Sequence, residues 1–257
     1  MTKNYLPGAE PLFLEGKSKG LLLLHGAGGG CTWDLKEFAK KAQEREFTVW
    51  LPALPGFGTK SSDLLGIKFD DWLNTASEGV ERLRDICSSV SIVGHSMGGL
   101  ISLVLAARDK QITSVVCWAA PWKVKSLLLP VLPLISSIPF VRRIIPEFYP
   151  TPAPARLKDM GWVGYDRIPT ALGFVMLNAF KQLQSSISNA SCPVFVVQGS
   201  KDESVKSQSA QEIFRRLSNL QKKIWIIEGA THPLMQDFCK EELFQRSLDF
   251  IERNLNI

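Results

Sequence analysis

The stretch VSIVGHSMGGLISLVLAA, residues 90–107, restricts most narrowly what this chain can fold into. Val90 to Val93 read as a short buried strand, and the apolar residues from about Met97 to Ala107 run on as a helix. The chain must therefore turn sharply at Ser96. A serine at such a turn is held in a strained backbone conformation, and glycines at 94, 98 and 99 relieve the crowding that side chains would create there. The pentapeptide GHSMG fits G-x-S-x-G with the strand before and the helix after that the pattern requires. Its hydroxyl would stand at the sheet edge, above a helix N-terminus whose dipole favours developing negative charge. Without those flanks, Ser96 would be only a small residue in a crowded corner.

The same alternation extends along the chain. GLLLLHG (Gly20 to Gly26) and FTVWLP (Phe47 to Pro52) are apolar runs ended by glycine or proline, as in strands buried on both faces of a parallel sheet. WDLKEFAKKAQE between them has helical period. Phe69, Trp72, Leu73, Ala76, Val80, Leu83 and Ile86 mark an amphipathic helix. Strands are expected at Ser114 to Ala120, Pro193 to Gly199 and Lys223 to Gly229, and helices at Ser207 to Leu217 and Lys240 to Asn254. Repeated β-α units imply a doubly wound, mostly parallel α/β sheet with its site at the carboxyl ends of the strands.

The alternation breaks between Trp122 and Ile187, where proline, aromatic and aliphatic residues dominate and the helical patterns are interrupted. Residues 1–121 and 188–257 are read as the core, and 122–187 as a small helical cap over its carboxyl edge; the plainer alternative is a packed subdomain that touches no ligand. Within it, SLLLPVLPLISSIPFV is shorter than the roughly 20 residues a spanning helix needs and carries Pro130, Pro133 and Pro139. No membrane span is expected. The stretch suits burial as a lid and transient contact with a lipid surface equally well.

A serine hydroxyl needs a base, and the chain has three histidines. His95 adjoins Ser96 in the tight turn, so its ring should project away, toward packing or pocket support. His25 precedes a glycine loop and is better suited to holding that loop. His232, in EGATHPLMQ after the last strand, can reach over Ser96 and is read as the base. Asp202, in QGSKDESV after the preceding strand, is the acid that would fix the imidazole tautomer. Glu203 is its nearest competitor, and a solvated role is open to either acid. An attacked carbonyl becomes an oxyanion, for which the backbone N–H of Met97 and that of Ala27 are the expected donors. The run Gly28 to Gly30 lacks the Lys-Ser/Thr of a phosphate-binding loop and the context of a dinucleotide fingerprint.

Composition closes off other classes. Of 257 residues 45% are apolar, enough for one large core, and the net charge of +5 is spread without a basic tract, which argues against nucleic acid as a partner. Five dispersed cysteines without a CxxC pair indicate neither a disulfide framework nor a zinc site. They fit a reducing cytoplasm, as does an N-terminus, MTKNYLPGAE, without an apolar signal core. Oligomeric state is left open.

With Ser96, Asp202 and His232 in that order, and HGAGG, LPALPGFGTKS, GHSMGG, QGSKDESV and GATHP in sequence, the chain resembles the α/β-hydrolase superfamily over nearly its whole length. Its length, its modest cap with YDRIPT and the stretch PVFVVQGSKDESV make it most similar to small bacterial carboxylesterases and monoacylglycerol lipases. The resemblance implies hydrolysis of short- to medium-chain acyl esters or monoacylglycerols through an acyl-serine intermediate, without metal or organic cofactor. Trp122, Leu127, Ile135, Trp162 and Phe174 are the expected substrate-pocket residues, packing being the bland alternative for each aromatic. Ala27 departs from the subgroup, where a bulky apolar residue often follows HG; the backbone donor survives and the acyl pocket widens. Serine at 96 argues against the dehalogenases and epoxide hydrolases that use aspartate. Carbon–carbon hydrolysis, thioester hydrolysis and acyl transfer on the same triad stay open, as does a ligand sensor that does not turn over.

Overall fold

A run of leucines builds the centre of the sheet. In the computed structural model, which describes residues 4–28, 31–123, 148–150, 159 and 161–255, Leu21 to Leu24 have no exposed surface. They belong to strand β2 (Lys19–Leu24), which follows β1 (Leu12–Leu14) and precedes helix α1 (Cys31–Glu44). The chain continues through β3 (Phe47–Leu51), α2 (Phe69–Arg84), β4 (Ser89–His95), α3 (Met97–Arg108) and β5 (Val115–Trp118). After β6 (Phe148–Pro150), β7 (Arg167–Pro169) and α4 (Leu172–Ser186) come β8 (Val194–Gly199), α5 (Gln208–Arg216), β9 (Lys222–Ile227) and α6 (Lys240–Arg253).

The main sheet has seven strands in the order β1-β3-β2-β4-β5-β8-β9, and only the β1–β3 pairing is antiparallel. Leu22 of β2 lies opposite Trp50 of β3 and Ile92 of β4. Alternate side chains serve opposite faces. Leu22 and Leu24 join the core formed with α2, α3, α4 and α5, whereas Leu21 and Leu23 join the one formed with α1 and α6. From β2 the chain steps to β3 on one side, while β4 leads toward the other edge. The loops leaving β2 and β4 therefore part at the carboxyl end, which opens the crevice where α/β sheets hold their sites.

Most expected elements form within a residue or two of their expected ends. Three differ. Ile86, read as the last apolar position of its helix, lies beyond Arg84 and is 55% exposed. The short edge strand β1 carries no long apolar run and was not foreseen. Inside the stretch read as interrupted, α4 runs unbroken for 15 residues and buries Leu172, Ala179, Phe180 and Leu183 in the core shared with α2 and α3. Those positions recur at helical spacing in a proline-free stretch, but the prolines upstream mask the period. Helix α3 is buried from Met97 to Ala107, as its all-round apolar sequence demands.

Candidate active site

Ser96 is the N-cap of α3, with φ 52° and ψ −115°, a region that residues with a side chain rarely occupy. Its N–H donates to Trp118 O at 2.7 Å across to β5, and its carbonyl accepts from Leu100 N at 3.1 Å in the first helical turn. The strain is thus held at both ends, by sheet and by helix.

The next two strands deliver the partners. The loop after β8 carries Asp202 and the loop after β9 carries His232, and Lys201 N donates to Ala230 O at 2.9 Å, tying one loop to the other. His232 Nδ1 lies 2.7 Å from Asp202 Oδ2, and His232 Nε2 lies 3.1 Å from Ser96 Oγ. A carboxylate only accepts, so Nδ1 carries the proton and Nε2 turns a lone pair toward the serine hydroxyl. The Asp202 side chain has no exposed surface. Burial alone would raise its carboxyl, but the hydrogen bond and charge of His232 and the Val205 and Ser204 amides outweigh this, holding it below the usual carboxylate range.

The two remaining histidines are supports. His95 Nε2–H donates to the His232 carbonyl at 3.1 Å, and the two rings lie 4.9 Å apart. Burial first, and then the charge of His232, push His95 down to about 3, so it stays neutral. His25 donates from Nδ1 to Gly26 O at 2.8 Å and accepts Leu54 N–H at Nε2 at 3.0 Å, joining the loop after β2 to the LPALPGFGTKS loop. Burial lowers it to about 4. Each histidine therefore takes the supporting position expected of it.

The loop after β2 runs beside the serine: a Cβ built on Gly26 would stand 3.3 Å from Ser96 Cβ. Ala27 follows directly. Neither the Ala27 nor the Met97 amide has a protein acceptor among the described residues.

The expected pocket residues have different surroundings. Trp162 Nε1–H donates to Asp34 Oδ1 at 3.1 Å, and its ring edge lies over Gly28, next to Ala27. Nearby, Tyr165 donates from its hydroxyl to Gly56 O at 2.8 Å and accepts Thr59 N–H at 3.1 Å. Trp122 is buried, with the Arg216 guanidinium 4.8 Å from its ring centre, and its carbonyl accepts from Gln184 Nε2. Phe174 is half-buried in the first turn of α4. Leu127 and Ile135 lie outside the described residues.

Two polar residues here were not foreseen. Gln198 donates from Nε2 to Asp202 Oδ2 at 2.6 Å. Its one sequence signal is an uncharged polar residue among the apolar residues of β8. Asp34, in the first turn of α1, is pushed up to about 7, chiefly by burial, against the Trp162 hydrogen bond and the charge of His232. Unfolded, its carboxyl ionises near 3.8, so the folded chain binds the extra proton between that value and about 7. Stability from this group is present in acid and is lost as pH rises through that window. Asp34→Asn cannot ionise and still accepts from Trp162. It should melt with the wild type near pH 4 and about 2 to 6 °C higher at pH 8, a discounted effect because the side chain is partly accessible. Equal melting shifts at both pH values in a thermal scan would exclude a buried charge at Asp34.

The chain is 26% identical over 257 residues to a thermostable monoacylglycerol lipase of a Bacillus species (strain H-257), covering 99% of each chain. It is 23% identical over 245 residues to a carboxylesterase of Bacillus subtilis (strain 168), covering 95% of this chain and 96% of that one. A solved structure from work on LipS and LipT, two metagenome-derived lipolytic enzymes, superimposes with a TM-score of 0.87 at 22% identity, covering 97% of this chain and 100% of the other, which shows the shared fold. The sequence profile described as "Serine aminopeptidase, S33" matches residues 16–238, well over half of the chain. With that match and a mostly parallel sheet of seven strands, the chain belongs to the S33 hydrolase family, on the α/β-hydrolase fold.

Proposed function

We propose that this protein is a serine carboxylic-ester hydrolase that cleaves short- to medium-chain acyl esters or monoacylglycerols. The observation that carries the reading is the line of hydrogen bonds Ser96–His232–Asp202, at 3.1 and 2.7 Å, ending on a serine with φ 52°. Ser96 Oγ attacks the acyl carbonyl as His232 Nε2 takes its proton. The carbonyl electron pair moves onto oxygen, where the Ala27 and Met97 N–H groups receive it. As the tetrahedral intermediate collapses, His232 returns the proton to the leaving alkoxide, and the acyl group stays on Ser96. A water then repeats the sequence: His232 removes its proton, the hydroxide adds to the acyl carbonyl, and the acid departs as Ser96 Oγ is reprotonated. Asp202 holds the Nδ1–H tautomer throughout and stabilises the imidazolium.

The substrate class draws support from relatives described as monoacylglycerol lipase and carboxylesterase. Residues 122–187 act in this reading as the cap. Trp162 over Gly28, and Tyr165 bonded to Gly56 and Thr59, support the placement of its carboxyl-terminal part beside the site. A cytoplasmic setting fits five free thiols, four of them buried. Among the described residues, no helix is long and apolar enough to cross a membrane.

A series of p-nitrophenyl esters from acetate to laurate, run beside monoacylglycerols of the same acyl chains, tests the assignment. Each added methylene that the pocket buries should raise kcat/KM up to about fourfold, from about 0.8 kcal/mol of transfer free energy, until the pocket is full. No hydrolysis at any length refutes the ester reading. Adding an alcohol acceptor separates hydrolysis from transfer: a new ester in place of free acid identifies an acyltransferase on the same triad.

A further inference from the structure

Asp202 is held by four donors, and the one from a side chain other than His232 has no part in the reaction derived above. Oδ1 accepts from the Ser204 and Val205 amides at 2.8 and 2.7 Å, while Oδ2 accepts from His232 Nδ1 at 2.7 Å and Gln198 Nε2 at 2.6 Å. Gln198 has no exposed surface, and its Oε1 is buried without a hydrogen-bond partner among the described residues. Turning the amide over would set Oε1 against the carboxylate and strand the NH₂ group, so the charge on Asp202 selects the orientation seen. A buried carbonyl without a donor destabilises the fold, and an apolar side chain of the same length would avoid that loss. Gln198 thus combines a destabilising end with a short, charge-assisted bond to one carboxylate oxygen.

We propose that Gln198 is a positioning residue that sets the base strength of His232 through Asp202. This inference rests on the reading of Ser96, His232 and Asp202 as the triad. Gln198 Nε2–H and the imidazole Nδ1–H share Oδ2, so the amide fixes that oxygen in line with the ring and takes up part of its negative charge. A carboxylate relieved of charge stabilises the imidazolium less. The ring then gives its proton up more readily to the leaving group. Without this donor the carboxylate holds the imidazolium more tightly, and Oδ2 loses the contact that keeps it in line with Nδ1. The other ionisable groups facing His232 and its loop are His95 from the end of β4, Asp34 from α1, and Asp237, which accepts from Thr231. None of them is bonded to Gln198.

The test compares the wild-type full chain with Gln198→Leu and Gln198→Met, which remove both the donor and the unpaired carbonyl while filling the space. The titration of the His232 ring proton is followed by NMR on the free protein, alongside the kcat/KM–pH profile on a p-nitrophenyl ester and thermal melting. In both variants the titration midpoint and the acid limb of the profile should move to higher pH, by roughly one pH unit. On the plateau, kcat/KM should fall roughly tenfold, with a melting temperature equal to or above that of the wild type. An unmoved midpoint in both variants overturns the proposal, as does an activity loss that tracks a lowered melting temperature with no change in the pH profile. If the wild type hydrolyses no ester, the ester reading fails, and the NMR titration still decides the role of Gln198.

Discussion

Ser96→Ala should lower kcat on a p-nitrophenyl ester by about 10⁴-fold or more while the protein melts within a degree or two of the wild type. The two halves of this result come from different atoms. Loss of rate follows from Oγ, which lies 3.1 Å from His232 Nε2 and in the proposed reaction is the atom that forms the acyl bond. The His232–Asp202 pair would remain poised, but with only water to activate. Retained stability follows because the strain at φ 52° is a property of the backbone and of Cβ, both of which alanine keeps. The Ser96 N–H to Trp118 bond and the Leu100 N–H to Ser96 carbonyl bond also persist, since neither uses the side chain. Any residual rate would report what the Ala27 and Met97 amides achieve alone. A variant with more than about one per cent of wild-type kcat would remove Ser96 from the role of nucleophile, because triad members act as a unit and no neighbour can replace an attacking atom.

How much of this could be read from the chain depends on whether a signal is local. The strand–turn–helix around Ser96 is local: a change of period, with glycines where backbones must meet. Asp202 and His232 are nearly so, because each follows an apolar strand whose end is marked by glycine, and parallel topology brings all such ends to one edge. The supporting roles of His25 and His95 could be reasoned from their places beside a glycine loop and a tight turn. Gln198 and Asp34 could not. Gln198 matters because Asp202, four residues later, folds back onto the end of the same strand, and Asp34 because Trp162, distant in sequence, meets it from above Gly28. A glutamine in a strand and an aspartate in a first helical turn otherwise suggest only solvation or a helix dipole. Helix α4 was hidden differently: its own period is clear, but it adjoins a proline-broken stretch that sets the character of the whole insertion.

Gly98→Ala should be the most damaging single-methyl change in the site, costing upward of about 4 kcal/mol and more than 10 °C in melting temperature, or preventing accumulation of soluble protein. A Cβ at this position would lie 2.0 Å from Leu24 O, 2.5 Å from Leu24 C and 2.7 Å from His25 O. These are backbone atoms, and they cannot yield easily: β2 is hydrogen-bonded to β3 on one side and β4 on the other, in register up to the pairing of Leu24 with Gly94. Relief would have to come from lifting the first turn of α3 away from the end of β2. Gly66 is the control. Its φ is +81° with nothing within 4 Å of an added Cβ, so Gly66→Ala meets only backbone strain, about 1 kcal/mol, and leaves activity intact. If the two variants melt together, contact between α3 and β2 is not what requires glycine at 98. In the proposed reaction the same approach bears on catalysis, because Leu24 and His25 lead into Gly26 and Ala27. Any folded Gly98→Ala protein has its β2 loop displaced from Ser96, and with it the Ala27 amide from the carbonyl it would polarise. Its residual activity should therefore fall further than its folded fraction, by a factor approaching the roughly 10²-fold or more lost with a single oxyanion donor. Activity that merely matched the folded fraction would uncouple the oxyanion loop from the turn that presents the serine.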